Sequence, residues 1–138
     1  MDGQTVKDVM TPRPTAVSGD EMVVEAARKM LGDDVGSLPV IDGDQLVGMV
    51  TDRDVVLQVV AKDRDPRKVT VSEVCSDKPV TAQADEPLDD ALQRMAAQQV
   101  RRLPVVTDGK LVGILAQADI ARTARPEATG RLVEGISE

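Results

Sequence analysis

Gly48-Met49-Val50-Thr51-Asp52-Arg53-Asp54 brings together the residue types and spacing in this chain that could bind a small molecule. An apolar run passes into a helical pattern there. A strand-to-helix junction presents free backbone N–H groups and the positive end of a helix dipole, which suit an anion such as phosphate. Thr51 can donate a hydroxyl at that point. Asp54, in the first helical turn, can accept two hydrogen bonds from a diol such as the 2′ and 3′ hydroxyls of ribose. Gly48 lets a ligand or a backbone approach closely. The same residues also spell a helix cap, because a Thr followed by an Asp at a helix start is the ordinary capping pattern. Both readings stand on this stretch.

The stretch is half of a duplication. Val6–Val56 aligns with Val71–Ala121 without a gap, at an offset of 65 residues. Thr5, Val9, Pro14, Asp20, Glu21, Ala26, Met30 and Val35 recur as Thr70, Val74, Pro79, Asp85, Glu86, Ala91, Met95 and Val100. Leu38-Pro39-Val40 recurs as Leu103-Pro104-Val105, Leu46-Val47-Gly48 as Leu111-Val112-Gly113, and Asp54 as Asp119. Such a chain is expected to form a pseudo-two-fold body with equivalent clefts between the copies. The second copy keeps Gly113 and Asp119 but has Ala116 where Thr51 stands, and Gln117-Ala118 for Asp52-Arg53. An Asp retained where the cap residue is lost argues for a role beyond capping.

Each copy reads as strand, helix, strand, strand, helix, an α/β (α+β) pattern. A short extended piece lies near Thr15–Val17. Asp20 then reads as the N-cap of a helix running to about Gly32. Val23, Ala26, Ala27, Met30 and Leu31 fall on one apolar face of it, as do Leu88, Ala91, Leu92, Met95 and Ala96 in the second copy. Pro87 fits a first helical turn. Leu38–Ile41 and Leu46–Val50 form a hairpin around Asp42-Gly43-Asp44, matched by Thr107-Asp108-Gly109. Pro39 and Pro104 should start their strands or lie on an edge. A second helix begins near Asp52 and carries Val55, Val56, Val59 and Val60. The boundaries are residues 6–62 for the first repeat, 63–70 for a polar linker, 71–124 for the second repeat and 125–138 for a polar tail. Neither repeat covers its apolar face alone, so burial against the other copy is expected.

Composition removes whole classes of chemistry. The 138 residues include no His, Phe, Tyr or Trp, so the core must be aliphatic, with Met filling irregular gaps. Without His there is no Ser-His or Cys-His dyad and no imidazole base. One Cys cannot close a zinc site, although carboxylates could hold Mg²⁺. Without rings there is no stacking platform for nucleic acid, and a net charge of −7 repels a phosphate backbone. Cys75 is the sole cysteine and reads as a small apolar filler aligned with Met10. No apolar run approaches the ~20 residues of a membrane span. Met1-Asp2-Gly3-Gln4 lacks the basic and apolar regions of a signal peptide, so a cytoplasmic location is expected.

Asp8-Val9-Met10-Thr11-Pro12, the two Leu-Pro-Val strands with their Asp-Gly turns, and Gly48–Asp54 with Gly113–Asp119 together resemble a tandem pair of CBS domains, or Bateman module. The resemblance covers Val6 to Thr123 and is to the small stand-alone bacterial proteins of that kind. It implies two pseudo-symmetric βαββα repeats packed through their sheets. It implies adenosine-type ligands (AMP, ADP, ATP or S-adenosylmethionine) bound between the repeats through a Gly-h-h-Ser/Thr-x-x-Asp motif, with no cofactor or metal required. Carried over by position, the stronger site combines Thr51, Arg53 and Asp54 with Thr81 and Val100-Arg101-Arg102, where a guanidinium could clamp phosphate oxygens. The weaker or empty site combines Ala116 and Asp119 with Ala16, Gly36 and Ser37. Aliphatic side chains can sandwich the adenine in place of aromatics.

The reading is therefore a non-enzymatic adenosine-ligand sensor that also resembles homodimeric proteins and serves an unidentified protein partner. A dimeric interaction scaffold that binds no nucleotide is the alternative. Asp20, Asp42, Asp52, Asp54 and their repeats offer carboxylates for catalysis, but nothing supplies a base with a tuned pKa, and no catalytic residue is assigned.

Overall fold

The duplicated apolar stretches become the strands and helices of two units in a computed structural model that describes residues 3–77 and 79–123. The tail expected at 125–138 lies outside the described residues. In order, the elements are α1 (Val6–Val9), β1 (Thr11–Pro12), β2 (Val17–Ser18), α2 (Val23–Asp33), β3 (Ser37–Asp42), β4 (Gln45–Thr51) and α3 (Asp52–Val55), which runs into a π-helical segment, Val56–Val60. A 3₁₀ turn at Val71–Glu73 opens the second copy, followed by β5 (Ala82–Gln83), α4 (Leu88–Gln98), β6 (Arg102–Thr107), β7 (Lys110–Ala116) and α5 (Gln117–Thr123). Both copies thus show the mixed α+β order read from the sequence.

The compact units do not coincide with the repeats. The first-copy unit holds Thr15–Pro79 with Gly109–Leu111, and the second-copy unit holds residues 3–14 with Val80–Asp108 and 112–123. In the first-copy unit, β2 runs parallel to β3 with Val17 opposite Val40, and β3 pairs antiparallel with β4. Val23, Ala26 and Met30 of α2 pack onto Leu38, Val40 and Val50, joined by Val69, Val71 and Val74. In the second-copy unit, β5 runs parallel to β6, and β1 pairs antiparallel with β7. Leu88, Ala91 and Met95 of α4 pack onto Leu103, Val105 and Leu115, joined by Val6 and Val9.

Each copy's leading turn therefore fills the core of the other copy's unit, and the backbone pairing is reciprocal. Val6 N–H donates to Glu86 O (3.1 Å) and Lys7 N–H to Ala84 O (2.9 Å), while Val71 N–H donates to Glu21 O (2.9 Å) and Ser72 N–H to Gly19 O (2.9 Å). Capping boxes fix both leaders: Thr5 N–H donates to Asp8 Oδ2 (2.8 Å) and Thr70 N–H to Glu73 Oε2 (2.7 Å). These bonds favour the ionised acids. The Thr5 N–H and hydroxyl hold Asp8 below the ordinary 3.8, and the Thr70 N–H and hydroxyl, then Arg64, hold Glu73 below 4.5. A carboxylate with a lowered folded pKa stabilises the fold above its unfolded value and loses that contribution as pH falls. The double variant Asp8→Asn, Glu73→Gln is expected to show a shallower fall in melting temperature than wild type as pH drops from about 5 to about 3, followed by far-UV circular dichroism.

Several local expectations are corrected. Asp20 is not the cap of α2. It accepts the Ser18 hydroxyl (2.7 Å) while Glu21 takes the Ser18 N–H (2.7 Å), and the helix starts after Met22. Leu31 is 83% exposed and Ala96 is also exposed, because each helix ends two or three residues later in a left-handed cap, Asp34 (φ 55°) or Gln99 (φ 56°), where its last turn projects past the core. Pro87 is the N-cap of α4 rather than part of its first turn. Pro39 and Pro104 stand inside β3 and β6, one residue before β2 and β5 begin to pair at Val40 and Val105, so their missing N–H removes no ladder bond on that side. The helix after Asp52 is α-helical for one turn only, and of the expected face only Val59 is fully buried.

Candidate functional site

The Thr51–Asp54 pair is built by the change from β4 to α3. Thr51 ends the strand opposite Ser37, and its extended backbone (φ −119°, ψ 162°) caps the helix. Thr51 N–H donates to Asp54 Oδ2 (2.9 Å) and Asp54 N–H donates to Thr51 Oγ1 (3.0 Å). The capping reading is thus correct, and it leaves chemistry over. Thr51 Oγ1 accepts the N–H, so its own proton remains for a ligand acceptor. Asp54 Oδ1 takes no hydrogen bond from the described residues, so it remains for a donor such as a sugar hydroxyl. Arg53 is exposed between them.

The motif glycines serve the backbone rather than a ligand. A Cβ on Gly48 would collide with the Ser76 carbonyl oxygen, and one on Gly113 would meet Met10 and the Thr11 carbonyl. Cys75 lies beside Gly48 and packs partly buried on the first-copy core. Burial, then the Asp54 and Asp77 carboxylates, push its thiol above 9.0.

The remaining residues of the expected stronger site lie in the second-copy unit. Val100 packs partly buried on that unit's core and its N–H donates to Met95 O (3.0 Å). Arg101 is exposed, with its carbonyl accepting Gln117 N–H (3.1 Å), and Arg102 is half-buried as it opens β6. Neither guanidinium is hydrogen-bonded or ion-paired to a described residue. Thr81 is half-buried just before β5. Thr51 and Asp54 thus lie in the first-copy unit, and Thr81, Arg101 and Arg102 in the second-copy unit.

The weaker set is engaged otherwise. Asp119 is 6% exposed and accepts the Thr11 hydroxyl (3.0 Å) on β1. That contact gives the retained Asp a role beyond capping, at the position where Ala116 stands in place of Thr51. In the first-copy unit, Asp52 N–H donates to Gly36 O (2.9 Å), and the Asp52 carboxylate lies over Gly36. Ser37 opens β3, and Ala16 O accepts Lys29 Nζ (2.9 Å).

Sequence reasoning passed over Glu21 with Lys29 and Glu86 with Arg94, which bind the chain just before β2 and β5. Their recurrence at the repeat offset was the available signal. No group of three or more His, Cys, Asp or Glu among the described residues is placed to hold a metal ion, and no helix there is long and apolar enough to cross a membrane.

Two βαββα copies, each with a glycine-to-Asp motif at a strand–helix junction, define a tandem-repeat module. The CBS domain model matches residues 6–61 and 71–125, and the chain belongs to the CBS-domain family as a tandem pair. It is 41% identical over 134 residues to the CBS domain-containing protein YhcV of Bacillus subtilis, covering 96% of this chain and 95% of that one. It is similar to a crystal structure of Hypoxic Response Protein I with two coordinated zinc ions (TM-score 0.81, 37% identity, 88% of this chain and 100% of that one); the protein of this name is from Mycobacterium tuberculosis. It is also similar to Arabidopsis thaliana CBSX2 in complex with AMP (TM-score 0.75, 34% identity, 87% and 95%).

Proposed function

We propose that this chain is a non-enzymatic sensor of an adenosine-containing ligand (AMP, ADP, ATP or S-adenosylmethionine), with Thr51 and Asp54 of the first copy and Thr81, Arg101 and Arg102 of the second as its contacts. The observation that carries the reading is the Thr51–Asp54 pair. It satisfies the helix start and still leaves one hydroxyl proton and one carboxylate oxygen, the complement of a phosphate or ribose oxygen and a ribose hydroxyl. The guanidiniums of Arg101 and Arg102, unpaired among the described residues, supply bidentate phosphate donors. The AMP complex of CBSX2 supports the ligand class. Ligand binding would shift the populations of conformers that a partner reads.

The test is calorimetry with AMP, ADP, ATP, S-adenosylmethionine and adenosine. AMP is expected to bind, and Arg102→Ala to weaken AMP about tenfold, the worth of about 1.4 kcal/mol of charge-assisted hydrogen bonding, while leaving adenosine nearly unchanged. Absence of binding by all five down to millimolar affinity refutes the reading. With no Trp or Tyr the protein is nearly transparent at 280 nm, so a 260 nm band on nucleic-acid-free preparations reports co-purified purine directly.

A homodimeric scaffold is the second reading, favoured by exposed apolar side chains on the first copy. Val56 (52%), Leu57 (42%) and Val60 (65%) face solvent on the π-helical segment. The corresponding second-copy positions carry Ala121, Arg122 and Arg125. Such a patch pairs with itself across a two-fold axis. Val56→Glu with Val60→Glu is expected to convert a dimer to a monomer in light scattering coupled to size exclusion. A wild type that is already monomeric at tens of micromolar rules this reading out.

A further inference from the structure

The second-copy unit carries a bracket beneath Thr81. Arg94, on α4, donates from Nη1 to Thr81 O (2.9 Å) and to Glu86 Oε2 (3.2 Å), and from Nη2 to Glu86 Oε1 (2.9 Å). Glu86 Oε2 also accepts Gln83 N–H (2.7 Å). One guanidinium and one carboxylate thereby tie residues 81, 83 and 86 to the helix. The Thr81 carbonyl is engaged by the helix side chain, and the buried Ala82 follows it into the core. Together these fix the peptide from which the Thr81 hydroxyl projects.

The first-copy unit has the same bracket with weaker parts. Lys29 Nζ donates to Ala16 O (2.9 Å) and stands 3.4 and 3.5 Å from the Glu21 oxygens, while Ser18 N–H donates to Glu21 Oε2 (2.7 Å). An ammonium is a point charge on a flexible stem, whereas a guanidinium grips carboxylate and carbonyl at fixed angles. The rigid version stands under the residue with a hydroxyl, and the loose version under an alanine. Arg94 is 36% exposed and Glu86 14%, so the pair is part-buried and partly shielded from water.

We infer that the Arg94–Glu86 pair is a positioning device that holds Thr81 in register for an adenosine ligand. It rests on the reading of Thr81 as a ligand contact. Arg94 itself acts through the Thr81 peptide.

The test is AMP affinity by calorimetry on the full chain, with folding checked by circular dichroism. Arg94→Met and Glu86→Gln are each expected to weaken AMP about tenfold, although they change the net charge in opposite directions. Arg94→Lys is expected to recover part of the loss. In a Thr81→Ala background, Arg94→Met should cost less than twofold more. Lys29→Met, which breaks the twin bracket, should leave affinity within twofold. Tighter binding by Glu86→Gln would show that Arg94 acts through charge alone and overturn the proposal. An equal Arg94→Met loss with and without the Thr81 hydroxyl would also overturn it. Wild-type binding with Arg94→Met and Glu86→Gln unchanged sinks the positioning role and leaves the sensor standing. No wild-type binding removes both.

Discussion

Gly48→Ala is expected to destabilise the protein by about 3 kcal/mol, at the upper end of overpacking costs for one added methyl. The added Cβ would collide with the Ser76 carbonyl oxygen and stand 3.2 Å from Cys75 Sγ. That carbonyl cannot simply retreat. Met49 N–H donates to Ser76 O (3.1 Å), and Ser76 N–H donates back to Met49 O (2.9 Å), so moving it breaks a reciprocal pair. Gly113→Ala provides the graded comparison. Its Cβ would press on the Met10 side chain and stand 2.9 Å from the Thr11 carbonyl. Met10 can rotate aside, which predicts a smaller loss of about 1–2 kcal/mol. Gly32→Ala is the control. Nothing lies within 4 Å of its Cβ, and the position is an exposed one inside α2. Alanine there should add about 0.5–1 kcal/mol. Urea unfolding followed by far-UV circular dichroism reads all three, since there is no Trp or Tyr fluorescence to follow. A Gly48→Ala protein as stable as Gly32→Ala would contradict the packing described for this junction.

The same glycine marks where reading the sequence stops. Local signals carried through. The Val23, Ala26, Met30 and Leu88, Ala91, Met95 faces are buried, and the hairpins fall around Gly43 and Asp108-Gly109 with positive φ. The tandem repeat, its family and the Thr51–Asp54 pairing were legible because helical period, turn chemistry and capping act over a few residues. What was not legible is long-range. The approach of Ser76 to Gly48, the Thr11 hydroxyl on Asp119 across 108 residues, and the exchange of leading turns leave no period in the chain. Leu31 shows a second limit. Its spacing places it at the rim of an apolar face, but whether a rim residue is covered depends on where the helix stops. Arg94 and Glu86 show a third, because a Glu and an Arg eight residues apart, outside any helical contact spacing, carry no local pairing signal, only their recurrence as Glu21 and Lys29 in the other copy.

Asp54→Asn is the variant that separates the two duties of the junction carboxylate. An amide keeps one oxygen to accept the Thr51 N–H, now made at 2.9 Å to Oδ2, so the helix start survives. Stability should stay within about 0.5 kcal/mol, since Asn and Asp serve nearly equally in local bonds of this kind. The free Oδ1 is replaced by an NH₂, which cannot accept from a hydroxyl. A charge-assisted pair of bonds to a diol is then lost, at about 1.5–3 kcal/mol per bond. AMP affinity should fall at least about a hundredfold, equivalent to about 2.7 kcal/mol. Asp54→Ala should lose the same affinity and also about 1 kcal/mol of stability as the cap fails. Asp119→Ala should do the reverse. It removes the buried acceptor of Thr11 and lowers stability by about 1–3 kcal/mol while leaving AMP affinity within twofold. Calorimetric titration and thermal melts on the three variants distinguish the roles. If Asp54→Asn binds AMP as tightly as wild type, the carboxylate is a helix cap and nothing more. If Asp119→Ala loses AMP instead, the ligand is held by the second copy's motif and the assignment of the stronger site is reversed.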